Sequence, residues 1–178
     1  MLARVFSALL FTTIFLPASR AIADDDKPSP ELLACISPSE RPSAPAESCK
    51  TLIKSPSASE KEKSAAMNGL GTLYMQAHDY KTAITVFTLQ LDTLPKDFRT
   101  YINRGHAYLW SGQSELAFAD FGSAIALHPG FSYFVRAQAY YNAGQYDRAL
   151  SDCNAELQVN PDNKAAKALL QINAHISH

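Results

Sequence analysis

The charge of this chain favours neither sign. Sixteen Lys and Arg stand against 17 Asp and Glu, for a net charge of −1. There is no basic excess of the kind that draws a protein to nucleic acid or an anionic bilayer, so neither is expected as a partner. The common motifs of hydrolytic and phosphate-handling sites are missing too. No G-x-S-x-G, H-E-x-x-H or phosphate loop occurs. The five histidines, His78, His106, His128, His175 and His178, show no metal-ligand spacing beyond a terminal pair. The residues therefore give no support for an enzyme, a metal or a cofactor. Long hydrophobic runs are also scarce. The apolar stretch from Val5 to Leu16 is broken by Ser7, Thr12 and Thr13. It is shorter than the roughly 20 residues that span a bilayer.

That short run has another reading. Arg4 precedes it, Pro17 ends it, and Ala21-Ile22-Ala23 has the small-x-small form of a cleavage site. This is the pattern of a secretory leader over residues 1–23. The alternative is an uncleaved anchor. No Cys follows the site, which argues against a lipoprotein. The expected location is the periplasm or the exterior, with no membrane insertion after cleavage. Residues 24–63 are then a Pro/Ser-rich segment holding a short capping helix. Such composition buries little apolar surface. Cysteine is sparse, at three residues. Cys35 and Cys49 flank a Pro-rich loop, and export permits a disulfide between them. Closing that loop would contribute roughly 3 kcal/mol on a chain-entropy view. Two buried free thiols are the alternative. Cys153 lies in a helical apolar stripe and reads as a small core residue.

Against these absences stands one strong positive feature. Arg104 to Gly112, RGHAYLWSG, has a near copy in Arg136 to Gly144, RAQAYYNAG. The register extends to three units. Tyr74, Tyr108 and Tyr140 are each preceded by a small residue three positions earlier, at Gly71, Gly105 and Ala137. Ala83, Ala117 and Ala149 follow, then Phe87, Phe121 and Cys153, then Pro95, Pro129 and Pro161. A period of 20–50 residues marks a stack of supersecondary units. Each unit reads as two helices, crossing at the small residues and closed by Pro.

The pattern resembles the tetratricopeptide repeat family, whose unit of about 34 residues is a helix–turn–helix. The resemblance implies an all-α, right-handed α-α superhelix. Its units would be 64–97, 98–131 and 132–163, with a C-terminal capping helix over 164–178. Two departures stand out. Met67, Tyr101 and Tyr133 replace the family's early Trp, and Arg104 and Arg136 replace a Leu. The arginines are expected to lay their stems along the stack with their heads in water. The third unit is two residues shorter, which we assign to the loop before it.

The resemblance further implies a concave groove lined by the first helix of each unit, holding a peptide or partner protein. The residues it would place there are Asn68, Thr72, Met75 and Gln76, then Arg99, Ile102, His106, Leu109 and Trp110, then Phe134, Gln138, Tyr141 and Asn142. An aromatic and amide stripe of this kind suits a binding patch. The subset of the family that grips acidic C-terminal tails uses a basic clamp. Asn103 matches one clamp position, but Asn68, Phe131 and Val135 stand where its Lys and Arg would be. A small solute or glycan, stacked on Trp110 and Tyr141 beside His106 and Gln138, is the second reading. Filling of the groove by the chain's own N-terminal segment is the third. The leader reading makes a direct prediction. Mass spectrometry of the protein recovered from a cell envelope should show Asp24 as the first residue, whereas intact Met1 on a membrane-bound form would mean an anchor.

Overall fold

A computed structural model describes residues 27–36 and 43–176. The expected leader, residues 1–23, lies outside the described residues. Among those described there are nine helices and no strand. They are α1 (Pro30–Ile36), α2 (Ser43–Lys54), α3 (Glu60–Gln76), α4 (Tyr80–Thr93), α5 (Phe98–Trp110), α6 (Ser114–Leu127), α7 (Pro129–Asn142), α8 (Tyr146–Val159) and α9 (Lys164–Ile176). Each helix packs on the next in sequence, which is the arrangement of an all-α helix-hairpin solenoid.

Local chemistry sets the helix ends. Ser59 caps α3 in a reciprocal box with Glu62. The Asp79 side chain accepts the Thr82 N–H at the start of α4, and Asp97 accepts that of Arg99 on α5. Asn163 accepts from Ala165 and Ala166 to open α9. The three hairpins α3–α4, α5–α6 and α7–α8 each close at a small residue. A Cβ on Gly71 would lie 2.4 Å from the Phe87 ring, and one on Gly105 would lie 2.6 Å from that of Phe121. In the third hairpin Ala137 and Cys153 are both fully buried and share a cluster with Leu169 of α9. There the small residue gains a methyl and its large partner shrinks, so the helices still meet.

Three expectations need correction. The N-terminal segment forms a hairpin, α1–α2, rather than one short cap, and α3 begins at Glu60, before the expected boundary at 64. Its apolar residues are few, but a disulfide joins Cys35 to Cys49 with their Cα atoms 4.6 Å apart. Leu32, Leu52, Ala66 and Leu70 complete that core, and the two sulfurs lie against Gly69 of α3. Next, the two residues missing from the third unit do not come from the loop. The links 94–97 and 128–131 are equal in length. The backbone at Gly130 and Phe131 is non-helical, so the regular part of α7 starts at Ser132 and is the shorter by two residues at its N-terminal end. The buried carboxylate of Glu156 holds this corner, accepting the Phe131 N–H at 2.9 Å and the Asn163 amide at 2.8 Å.

The third correction concerns the arginines, whose heads are not in water. Arg104 makes two 2.8 Å bonds to the Asp120 carboxylate and a third, of 3.1 Å, to Thr88. Arg136 repeats the fork on Asp152, at 2.7 and 2.9 Å. The carboxylates hold both guanidinium groups above their ordinary pKa. Bidentate geometry and the flanking Tyr rings offset the desolvation of these pairs. In the first unit the same two positions hold Leu70 and Val86, which pack in one apolar cluster. The stack thus accepts either an apolar pair or an ion pair at this crossing.

Two predictions follow from the crossings. Gly105→Ala should destabilise the protein by up to about 2 kcal/mol, the overpacking cost of about 1–3 kcal/mol less the helix-propensity gain of about 1. Gly122→Ala, whose nearest neighbour would be Arg136 at an ordinary 3.8 Å, should instead stabilise it by up to about 1 kcal/mol. Chemical denaturation of both variants measures the opposite signs. Separately, Arg104→Leu should cost about 3–5 kcal/mol, because it leaves the Asp120 carboxylate, only 8% exposed, without its partner. Adding Asp120→Val, the pair used by the first unit, should recover most of that loss in the same measurement.

Candidate functional site

A trough of about 570 Å³ opens between α3 and α5, the first helices of the first two units. Thr72, Met75 and Gln76 line it from the last turns of α3. Asn103, His106 and Trp110 face them from α5. The spacing of three and four residues on each helix puts these side chains on one face. Phe87 lies at the base, and His78 and Tyr80, from the α3–α4 turn and the start of α4, form the end wall. Asn68 and Asn103 bridge the two helices by a 3.4 Å hydrogen bond.

The rings form a connected set. Trp110 is 58% exposed and lies 5.9 Å from Tyr80 and 5.8 Å from His106, centroid to centroid. His106 meets Phe121 nearly edge-on at 5.3 Å, which ties the trough to the core of the second hairpin. His78 Nδ1 is 2.7 Å from the Tyr80 hydroxyl. Burial pushes the His106 imidazole below its ordinary pKa, so it is neutral at pH 7. No Asp, Glu, Lys or Arg lines the trough. It is a site for polar neutral and aromatic contacts, not for ion pairing.

Five of the residues expected in a groove come together here: Thr72, Met75, Gln76, His106 and Trp110. Asn68 sits at the margin through its bond to Asn103. The others do not join the trough. Ile102 is only 9% exposed and belongs to the core with Val135 and Ala139, and Leu109 packs against that same cluster. The i, i+4, i+7 spacing that linked Ile102, His106 and Leu109 therefore crosses from the core to the open face. Phe134 and Tyr141 pack on the cluster of Ala137, Cys153 and Leu169. Gln138 and Asn142 are exposed outside the trough, as is Arg99, whose guanidinium covers the Phe98 ring. Trp110 and Tyr141 therefore do not share this trough. Tyr141 meets Tyr146 instead, at 5.5 Å.

Of the clamp positions, Val135 is buried and Phe131 lies exposed in the corner before the regular helix, and neither lines this trough. Residues that the sequence reading left out of the groove are His78, Tyr80 and Phe87, while Asn103, matched there only to a clamp position, does line the trough. The first three lie off the first helices, where a groove assigned from those helices alone does not look. No described residue before Thr72 lines the trough, so the described part of the N-terminal segment does not fill it. Elsewhere, burial raises the Cys153 thiol to about 11, which keeps it protonated and unreactive at neutral pH.

Comparison with known proteins agrees with this geometry. The sequence profile of the tetratricopeptide repeat matches residues 130–163. The chain is 32% identical over 126 residues to sperm-associated antigen 1 of Mus musculus, covering 68% of this chain and 14% of that protein. It is 31% identical over 100 residues to serine/threonine-protein phosphatase 5 of Homo sapiens, covering 55% of this chain and 20% of that one. The chain thus spans a fifth or less of the length of these relatives. Among solved structures, the first TPR of Spaghetti (RPAP3), bound to the HSP90 peptide SRMEEVD, superposes with a TM-score of 0.57 at 24% identity, over 66% of this chain and 94% of that one. The TPR2B domain of yeast Sti1, in complex with pHsp70, gives 0.55 at 26% identity over 64% and 97%. Repeat register, hairpin geometry and these matches agree that the chain carries a tetratricopeptide repeat at residues 130–163 and has the fold of tetratricopeptide repeat domains.

Proposed function

We propose that this protein is an exported, non-enzymatic scaffold that binds a segment of a partner protein in the trough between α3 and α5. The observation that carries the reading is the trough itself. It joins exposed aromatic rings and amide groups, carries no formal charge, and is built on the first helices of two adjacent units. Aromatic side chains with low side-chain entropy and wide contact area are what protein-binding patches use. Of the structural neighbours named above, one was solved with an HSP90 peptide and the other in complex with pHsp70, which favours a protein segment here. That peptide, SRMEEVD, is acidic. This trough offers no Lys or Arg to such a ligand, so its partner is a neutral segment. Support for export comes from the leader pattern of residues 1–23 and from the Cys35–Cys49 disulfide, which persists in oxidising compartments.

A small solute or glycan is the second reading, favoured by the exposed face of Trp110 beside Tyr80. One experiment separates the two. Affinity capture from an envelope extract with the intact protein should recover a partner protein, and Trp110→Ala should reduce its affinity by roughly thirty-fold, as expected for an aromatic anchor worth 2 kcal/mol or more. Tyr141→Ala, outside the trough, should leave capture unchanged. Both variants should keep the helical circular dichroism of the parent. If Trp110→Ala captures the partner at full affinity, the trough is not the site. A change in the fluorescence of Trp110, the chain's single tryptophan, with saccharides but not with captured partner would move the assignment to a solute.

A further inference from the structure

The hairpins of the three units turn at one repeat position, four residues after Tyr74, Tyr108 and Tyr140. The residues there are His78, Gly112 and Gly144, and all three adopt positive φ, at 60°, 82° and 71°. Glycine takes this conformation without steric cost, whereas an L-residue with a Cβ is strained by it. Histidine is among the side chains better tolerated there, yet the first unit still accepts strain that the other two avoid. Strain held at one member of a repeat points from the observed outlier to a role for its side chain.

The side chain's surroundings supply that role. The His78 imidazole accepts or donates a 2.7 Å bond with the Tyr80 hydroxyl and meets the Tyr80 ring nearly at right angles, at 5.8 Å. Tyr80 continues to Trp110, and Trp110 to His106. His78 and Tyr80 both line the trough, and together they form its end wall. A glycine at this position would leave the wall without its last ring. A Cβ at Gly112 or Gly144 would meet nothing within 4 Å.

We propose that His78 contacts the ligand, and that the trough it closes receives an uncharged aromatic side chain of an extended partner segment. The inference rests on the trough being the binding site, and it names what that site selects. A carboxylate or ammonium of the partner would be desolvated there without a counter-charge, which is strongly disfavoured. A Phe or Tyr ring would instead find edge and face partners in His78, Tyr80 and Trp110, at the separations aromatic pairs prefer. The Gln76 and Asn103 amides at the rim supply donors and acceptors for the partner's backbone.

The test uses the full chain and end-capped Gly/Ser peptides carrying one central Phe, Tyr, Glu or Lys, with a neutral disaccharide as a separate arm. Binding is read from NMR shifts of the Trp110 indole and the histidine rings. The Phe and Tyr peptides should bind about ten-fold more tightly than the Glu and Lys peptides, a difference of about 1.4 kcal/mol. His78→Gly should keep or raise the melting temperature while weakening the Phe peptide by about ten-fold. His78→Asn, which tolerates the same backbone but lacks a ring, should show the same loss. Gly112→His should lower the melting temperature and leave binding alone.

Unchanged affinity in His78→Gly would overturn the proposal, as would equal binding of the charged peptides, binding of the disaccharide in place of the Phe peptide, or no peptide binding at all. A Gly112→His variant as stable as the parent would remove the strain argument. If Trp110→Ala loses the natural partner while His78→Gly retains it, the trough remains the site and only this inference fails.

Discussion

Everything in this stack depends on how closely two antiparallel helices approach within each unit. At Gly71 and Gly105 the space where a Cβ would sit is taken by the Phe87 and Phe121 rings. That contact fixes the hairpin, and the hairpin fixes which residues are left facing outward. The third unit satisfies the same constraint with Ala137 and Cys153. A methyl added on one helix is matched by an aromatic ring removed from the other. Close packing of this kind tolerates exchange of volume between partners and penalises a change on one side alone.

Beside that fixed crossing the units differ freely. Leu70 and Val86 of the first unit become Arg104 and Asp120, then Arg136 and Asp152. The two ion pairs are mostly buried and bidentate, and each closes the same interface that an apolar pair closes in the first unit. The open face varies in the same way. The position of Gln76 on α3 is that of Trp110 on α5, and the position of Thr72 is that of His106. The trough is therefore a product of two unlike neighbours: the amide and thioether side of one unit meets the aromatic side of the next. Neither helix would form it alone.

At the N-terminal end a polar, Pro-rich segment still makes a packed hairpin. Its core is small, and a covalent link between α1 and α2 takes the place of further apolar residues. Gly69 gives the disulfide room against α3. The stack is covered on this side, and the far end is covered by α9 through Ala166 and Leu169. Both ends of a solenoid need such a cover, because each unit leaves an apolar face for a neighbour.

The three units, their small-residue crossings and the helical class were all legible in the sequence. These depend on residues a few positions apart within a repeating register, and that spacing fixes which face of a helix they share. The site was legible only in part. Thr72, Met75, Gln76, His106 and Trp110 could be found from helix spacing. Ile102 and Leu109 could not be told from them, because on one helix a step of three or four residues is enough to pass from the open face at His106 to the core cluster that holds Ile102 and Leu109. Tyr80 and His78 come from a turn and from the second helix, and only the folded hairpin brings them beside Trp110 of the next unit. The Arg104–Asp120 and Arg136–Asp152 pairs join residues 16 apart on opposite helices, so their partners appear only once the crossing is in place. Sequence by itself determined the period and therefore the hairpins. Tertiary structure decided which side chains each crossing buries, pairs or leaves open, because that depends on the distance between helices that local spacing does not contain.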